Sequence, residues 1–342
     1  MRWDIGVDLG TESVRIADYR QGPFKECAAA LAFREGRDTP VYAGDAAAKL
    51  EGRACAGIAV QYPLKDGILE NNLTADRMFH WIYRQTEAVS RKRRFSMLLT
   101  CAPFARPVLR EAMLSAAIDA GADSVSLARS DAAAAVGAGL DLDAPEAKLV
   151  VDVGAGKISA TLFTFGRVAA FGYLPYGLGR IDERVQRSIQ MNYGYRIGRS
   201  SAREIKHTLG TALPGAAASD VLMHMTGFSI ADRIPKVFDV ETKPVLEACE
   251  DVVREIVGLV ASVVDNAPEE LSADLTDMGI VLTGAGAELT GLNKRLGDAL
   301  GIPCRVADAP GTCAIRGVYQ MMLNPEKYAQ VIMDQRLSAN WR

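Results

Sequence analysis

Two stretches of this chain carry the same pattern, with their acids 144 positions apart. Ile5-Gly6-Val7-Asp8-Leu9-Gly10-Thr11-Glu12-Ser13-Val14-Arg15-Ile16 is an apolar strand that ends on an acid, turns through glycine and returns as a second strand. Leu149-Val150-Val151-Asp152-Val153-Gly154-Ala155-Gly156-Lys157-Ile158 repeats it, with Asp152 in the place of Asp8. Glycine in such a turn lets the backbone come close to a ligand, so that N–H groups line up on an anion. The acid can orient a metal-bound water beside that anion. Either segment alone is read most simply as an ordinary hairpin. Two copies, separated by close to half of the 342 residues, point to a duplicated fold with two phosphate-facing hairpins.

A third stretch, Gly279-Ile280-Val281-Leu282-Thr283-Gly284-Ala285-Gly286-Ala287, is a buried strand running into a glycine turn and a helix-like segment. Such a turn can close over a nucleoside. Hydrophobic residues make up 49% of the chain, ample for two cores, and a net charge of −3 gives no bias towards nucleic acid. No apolar run reaches the ~18 residues that span a bilayer, and no secretory leader is read, so a cytoplasmic protein is expected. The six cysteines show no CxxC spacing and the three histidines no ligand spacing. Reduced thiols and no histidine-based metal site are expected.

Periodicity and breakers predict a hairpin over 4–19 and a short Ala-rich helix near Asp45–Leu50. Helices are predicted over Thr74–Val89, Pro107–Ala120, Asp131–Leu140, Arg180–Asn192 and from about Ser200 to Leu209. A long helix follows over Val245–Val264, after short strands in 213–245. Buried strands are expected at Met97–Cys101 and Val125–Leu127. The charged segment after Leu323 reads as a surface helix with a loose end.

In this order, the stretches Gly6–Thr11, Pro63-Leu64-Lys65-Asp66-Gly67, Val136–Leu140, Val151–Gly154, Glu204-Ile205-Lys206, Gly279–Gly284 and Arg305–Asp308 resemble a bacterial actin of the MreB cell-shape family. That family lies within the actin, Hsp70 and sugar kinase superfamily, and the resemblance covers roughly residues 3–320. It implies an α/β, actin-like fold: two duplicated ribonuclease H-like halves with a nucleotide cleft between them. The halves are expected at 1–140, with a small insert at about 30–66, and at 141–325, with an insert at about 178–245. A tail follows over 326–342. The resemblance also implies ATP or ADP with Mg²⁺ as ligand, self-assembly into protofilaments, and a place at the inner face of the cell membrane with the cell-wall synthesis machinery.

Carried over residue by residue, the resemblance assigns Asp8, Gly10 and Thr11 to the first phosphate turn, with Glu12 beside it. Asp152, Gly154, Ala155 and Gly156 form the second turn, and Gly284, Ala285 and Gly286 the nucleoside turn, where Ala285 replaces a glycine. Asp8 and Asp152 would hold Mg²⁺ through water, and Glu204 and Lys206 would contact the adenosine. A solvated helix face is an equal reading of that last pair. Hydrolysis is expected to be weak or absent. Where the family reads Glu-Pro-Met-Ala-Ala-Ala, this chain reads Ser130-Asp131-Ala132-Ala133-Ala134-Ala135, and a serine is no carboxylate base. Lys157 stands where a hydroxyl is expected. Asp131 by a one-residue shift, or Lys157 by pairing with phosphate, can rescue the site. Glu12 places a negative charge where it disfavours a triphosphate.

The run Arg91-Lys92-Arg93-Arg94-Phe95 is an ordinary solvated loop by composition. By resemblance it falls at a membrane-touching loop, where each cation contributes about 1 kcal/mol and Phe95 can act as a shallow anchor. Three other readings compete with a filament protein. A sugar or metabolite kinase lacks a clear substrate base here, and an Hsp70-like chaperone lacks chain for a substrate-binding domain. The third, a pseudo-actin scaffold, differs only in whether nucleotide is used.

Overall fold

A computed structural model describes residues 3–53, 57–86, 94–213 and 222–337. The chain opens with β1 (Ile5–Leu9), β2 (Ser13–Asp18) and β3 (Gly22–Ala28), followed by β4 (Leu31–Arg34), β5 (Pro40–Ala43), α1 (Asp45–Ala48) and β6 (Ile58–Gln61). The short strands β7 (Leu64–Lys65) and β8 (Ile68–Leu69) lead to α2 (Asn72–Gln85). Its N-cap, Asn71, accepts from the N–H groups of Leu73 and Thr74. Next come β9 (Ser96–Cys101), α3 (Pro107–Asp119), β10 (Ser124–Arg129) and α4 (Ser130–Gly137).

The second half runs through β11 (Lys148–Val153), β12 (Ile158–Thr164), β13 (Arg167–Leu174), α5 (Gly179–Tyr193) and β14 (Tyr195–Arg196). It continues with α6 (Arg199–Leu209), β15 (Leu222–Ser229), β16 (Pro235–Glu241) and α7 (Thr242–Asp265). After α8 (Glu269–Met278) come β17 (Ile280–Thr283), α9 (Leu292–Leu300), β18 (Cys304–Val306), α10 (Cys313–Leu323) and β19 (Ile332–Leu337).

Duplication is visible in the strand order. The first large sheet is ordered β19-β10-β9-β1-β2-β3 and the second β13-β12-β11-β17-β18. In each, the strand whose penultimate residue is the acid is antiparallel to its hairpin partner and parallel to a strand that returns later, β9 for β1 and β17 for β11. β1, β9 and β11 are buried at every position, as strands covered on both faces must be. The small sheets β5-β4-β6 and β14-β15-β16 stand apart, and β6 alternates between half-buried and exposed residues.

Two helices fill the space between the large sheets. Ala132, Ala133 and Ala135 of α4 and Ile315, Val318 and Met321 of α10 share one apolar cluster with Leu98 of the first sheet and Val150 and Phe163 of the second. The small side chains of α4 let the helices touch backbone to backbone. A Cβ on Gly317 would lie 1.8 Å from the Ala133 carbonyl oxygen, and one on Gly137 1.8 Å from that of Cys313.

The chain end differs from the surface helix expected of it. β19 pairs antiparallel with β10 and closes that edge of the first sheet, and Asp334 is held by Arg110 of α3 at 2.6 Å. An uncovered β10 would leave a row of unpaired N–H and C=O groups, and a strand satisfies them where a helix cannot. Among the described residues, no helix is long and apolar enough to cross a membrane.

Candidate nucleotide site

Both hairpin turns close in the same way. The N–H of Gly10 donates to the Ser13 carbonyl and that of Gly154 to the Lys157 carbonyl, each at 2.9 Å. Neither turn offers a partner to its next two amides. The N–H groups of Thr11, Glu12, Ala155 and Gly156 are unpaired among the described residues, and all four residues line a cavity of 360 Å³. The carbonyls of Gly154 and Ala155 accept from Leu178 and Gly179 at 3.0 and 2.8 Å, which docks the start of α5 on the second turn. Free amides from two turns around one cavity are the geometry that binds an anion.

The tips meet across the cleft. The Thr11 hydroxyl accepts from the Gly67 N–H at 3.1 Å, and a Cβ on Gly156 would fall 2.1 Å from that hydroxyl oxygen. Gly284 and Ala285 line the same cavity. Gly284 has φ 77°, and its Cα faces the Val153 carbonyl so closely that a Cβ would lie 2.4 Å away. Gly286 packs against Val153 and Leu178 behind that turn. A larger groove of 1240 Å³ opens beyond the tips, between Tyr62 of the first half and Tyr176, Arg180 and Arg184 of the second.

The charges of the cavity are paired among themselves. Asp8 accepts from the Thr100 hydroxyl at 2.8 Å and lies 3.4 Å from Arg15, its cross-strand neighbour. Arg15 also reaches Glu26 on the next strand at 2.6 Å. Asp152 holds the Lys157 ammonium at 2.5 Å. Burial alone would lower the pKa of that ammonium, but Asp152, with Asp131 and Asp8 beyond it, outweighs burial and raises it above the usual lysine value. Lys157 is therefore charged throughout the neutral range. Burial pushes the Cys101 thiol up to about 12, so this cavity cysteine is no thiolate.

Several expected roles change. Glu12 does not repel a triphosphate as an isolated charge, because Arg199 and Arg203 of α6 hold it at 2.9 and 2.6 Å. Those bridges tie the first turn to the second half. Glu204 is exposed and does not line the cavity; Arg203, its neighbour, does. Lys206 is turned to the buried Asp182 at 2.6 Å and to the Leu178 carbonyl at 3.3 Å. Helical phase decides this, since adjacent residues face about 100° apart.

Asp131 cannot stand in as a base. It is 1% exposed and accepts from the Arg129 guanidinium, the Thr161 hydroxyl and the Ala132 N–H, so its lone pairs are committed to packing. Ser130 does line the cavity, with its buried hydroxyl unpartnered among the described residues. Phe95 is no surface anchor, being 6% exposed with its ring edge-on to Tyr83 at 4.7 Å. Arg94 is exposed, while Arg91, Lys92 and Arg93 lie outside the described residues.

A Mg²⁺ ion held through water by Asp8 and Asp152 does not fit this arrangement. Each carboxylate already has a cation of the chain on its Oδ2 atom. A divalent ion bound at Asp152 would have to share that carboxylate with the Lys157 ammonium, which already occupies its Oδ2 atom. Among the described residues no three His, Cys, Asp or Glu side chains gather as a metal cluster.

The family described as MreB/Mbl protein matches residues 2–330. The cell shape-determining protein MreB of Escherichia coli (strain K12) is 32% identical over 319 residues, covering 92% of this chain and 91% of that protein. The cell shape-determining protein Mbl of Bacillus subtilis (strain 168) is 28% identical over 324 residues, covering 95% and 97%. The crystal structure of MreB5 of Spiroplasma citri bound to ADP superimposes with a TM-score of 0.87 at 23% identity, covering 95% of this chain and 96% of that one. The MamK double helical filament gives 0.77 at 18% identity, covering 94% and 98%. These likenesses establish the actin-like fold.

Proposed function

Because the chain belongs to the MreB/Mbl family, we propose that it is a filament-forming actin of the cell-shape type that holds an adenine nucleotide between its two hairpins with weak or absent hydrolysis. One observation carries the binding: four unpaired amides, from Thr11, Glu12, Ala155 and Gly156, surround one cavity. MreB5 of Spiroplasma citri, which shares the fold, has been solved with ADP and with AMPPNP. Weak turnover follows from the cavity wall, where Ser130 offers a hydroxyl and Asp131 is locked into packing. Polymerisation is the family's expected activity, and the MamK filament supports it by shared fold. Sedimentation with and without ATP tests the reading. Pelleting that rises with nucleotide supports it; pelleting that is equal without nucleotide favours a nucleotide-independent scaffold, to which the self-paired charges of the cavity lend support.

Membrane contact forms part of the same proposal, together with work beside the cell-wall synthesis machinery. Its support is the cationic run, in which Arg94 is exposed; with Phe95 buried, the contact is purely electrostatic. Four cations give roughly 4 kcal/mol before screening, marginal for a monomer and sufficient for a filament presenting many copies. Replacing Arg91, Lys92, Arg93 and Arg94 together by serine is expected to abolish co-sedimentation with anionic vesicles and leave polymerisation intact. Unchanged pelleting of that variant, or equal binding of the parent protein to neutral vesicles, returns the run to a solvated loop.

A further inference from the structure

We propose that the Lys157 ammonium is a resident counter-ion that takes the place of a divalent metal in the cleft, so that this chain binds adenine nucleotide metal-free. The inference rests on the proposed nucleotide binding and specifies its ionic form.

Lys157 is the turn residue that directly follows the free amides of Ala155 and Gly156. Its Nζ sits 2.5 Å from Asp152 and senses Asp8 and Asp131 as well, which puts one fixed positive charge amid three carboxylates. The side chain is only 16% exposed, and its stem is held in place. A Cβ on Gly67 would lie 3.1–3.3 Å from the Cβ, Cγ and Cδ atoms of Lys157, so the backbone of the 63–67 turn lies directly over the lysine. Such a clamp fixes the ammonium at the cavity wall, without the freedom of a surface lysine. Arg15 completes the arrangement on the other hairpin, where it neutralises Asp8.

An anion entering this cavity meets amide dipoles from both turns and one ammonium already in position. A hydrated divalent ion would compete with that ammonium for Asp152, because Mg²⁺ retains several waters that must themselves hydrogen-bond to the carboxylate. The phosphates of a metal-free nucleotide bring no such competition, and they can share the ammonium's remaining N–H donors. Chelating the nucleotide's charge with Mg²⁺ in solution removes part of what Lys157 attracts. Metal-free ADP should therefore bind at least as tightly as its Mg²⁺ complex.

Calorimetric titration with ADP, in excess Mg²⁺ and separately in EDTA, tests this on the full chain. The expected result is a Kd in EDTA equal to or below that in Mg²⁺. A tenfold or greater loss of affinity in EDTA overturns the inference and leaves the proposed nucleotide binding standing. No binding in either condition overturns both. Lys157→Thr should reverse the preference, with ADP affinity falling at least tenfold on chelation, and should bind Mn²⁺ in the presence of ADP by electron paramagnetic resonance where the parent protein does not. If that variant does not fold, the same Mn²⁺ titration of the parent protein decides, since a stoichiometric Mn²⁺ site in its ADP complex also overturns the inference.

Discussion

Gly317→Ala is expected to lower the melting temperature by about 4 °C, because the added methyl group meets the backbone of a facing helix. The added Cβ would lie 1.8 Å from the Ala133 carbonyl oxygen and 2.6 Å from its carbon. Both are backbone atoms of α4, so no side chain can swing aside, and α10 must move as a body. Overpacking of this kind costs about 3 kcal/mol. The shift also strikes the seam between the halves, because Val150 and Phe163 of the second sheet share the cluster of these helices. Gly258→Ala is the control. A Cβ there meets nothing within 4 Å, and it lies inside α7, so the change should stabilise by about 0.5–1 kcal/mol. Equal melting temperatures for the two variants in calorimetry would refute the close helix contact.

Ser130→Glu combined with Lys157→Thr is expected to raise ATP turnover about 100-fold, read as phosphate release. Ser130 lines the cavity and its buried hydroxyl has no partner among the described residues, so a longer side chain there has the cavity to extend into. A positioned acid–base group contributes typically about 10²–10⁴ in rate, and the expected gain is the low end of that range. The second change is needed because Lys157, charged and near Asp131, would otherwise pair with the introduced carboxylate. Ser130→Glu alone should therefore gain less. A parent protein that already hydrolyses ATP as fast as the double variant would show that the wall holds another base.

The hairpins are legible in the sequence because their information is local. An acid at a strand end and glycine one or two residues later determine a turn whose amides face outward, and Asp8-Leu9-Gly10 and Asp152-Val153-Gly154 carry that in a few consecutive residues. The pattern's recurrence at half the chain length pointed to a duplicated fold, and the matching strand orders of the two large sheets carry that duplication. The helix starts and stops followed the same logic, as at Gly194, which ends α5 at φ 73°.

Side-chain company was another matter. Glu12 reads as a lone charge until α6, 187 and 191 positions away, brings Arg199 and Arg203 to it. Asp131 looks available as a base until Thr161 and Arg129 close on it. Phe95 ends a basic run and looks exposed, yet Tyr83 of α2 covers it. Glu204 and Arg203 are neighbours in the chain and only the phase of α6 decides which one enters the cavity. The segment after Leu323 is polar enough for a surface helix, but β10 has an edge to fill. Local backbone geometry depends on the few residues that make each turn, so the sequence alone determined where the two glycine hairpins lie. Which charges remain unpaired there depends on groups that only the packed halves bring within 4 Å, so the tertiary structure decided the chemistry of the cleft.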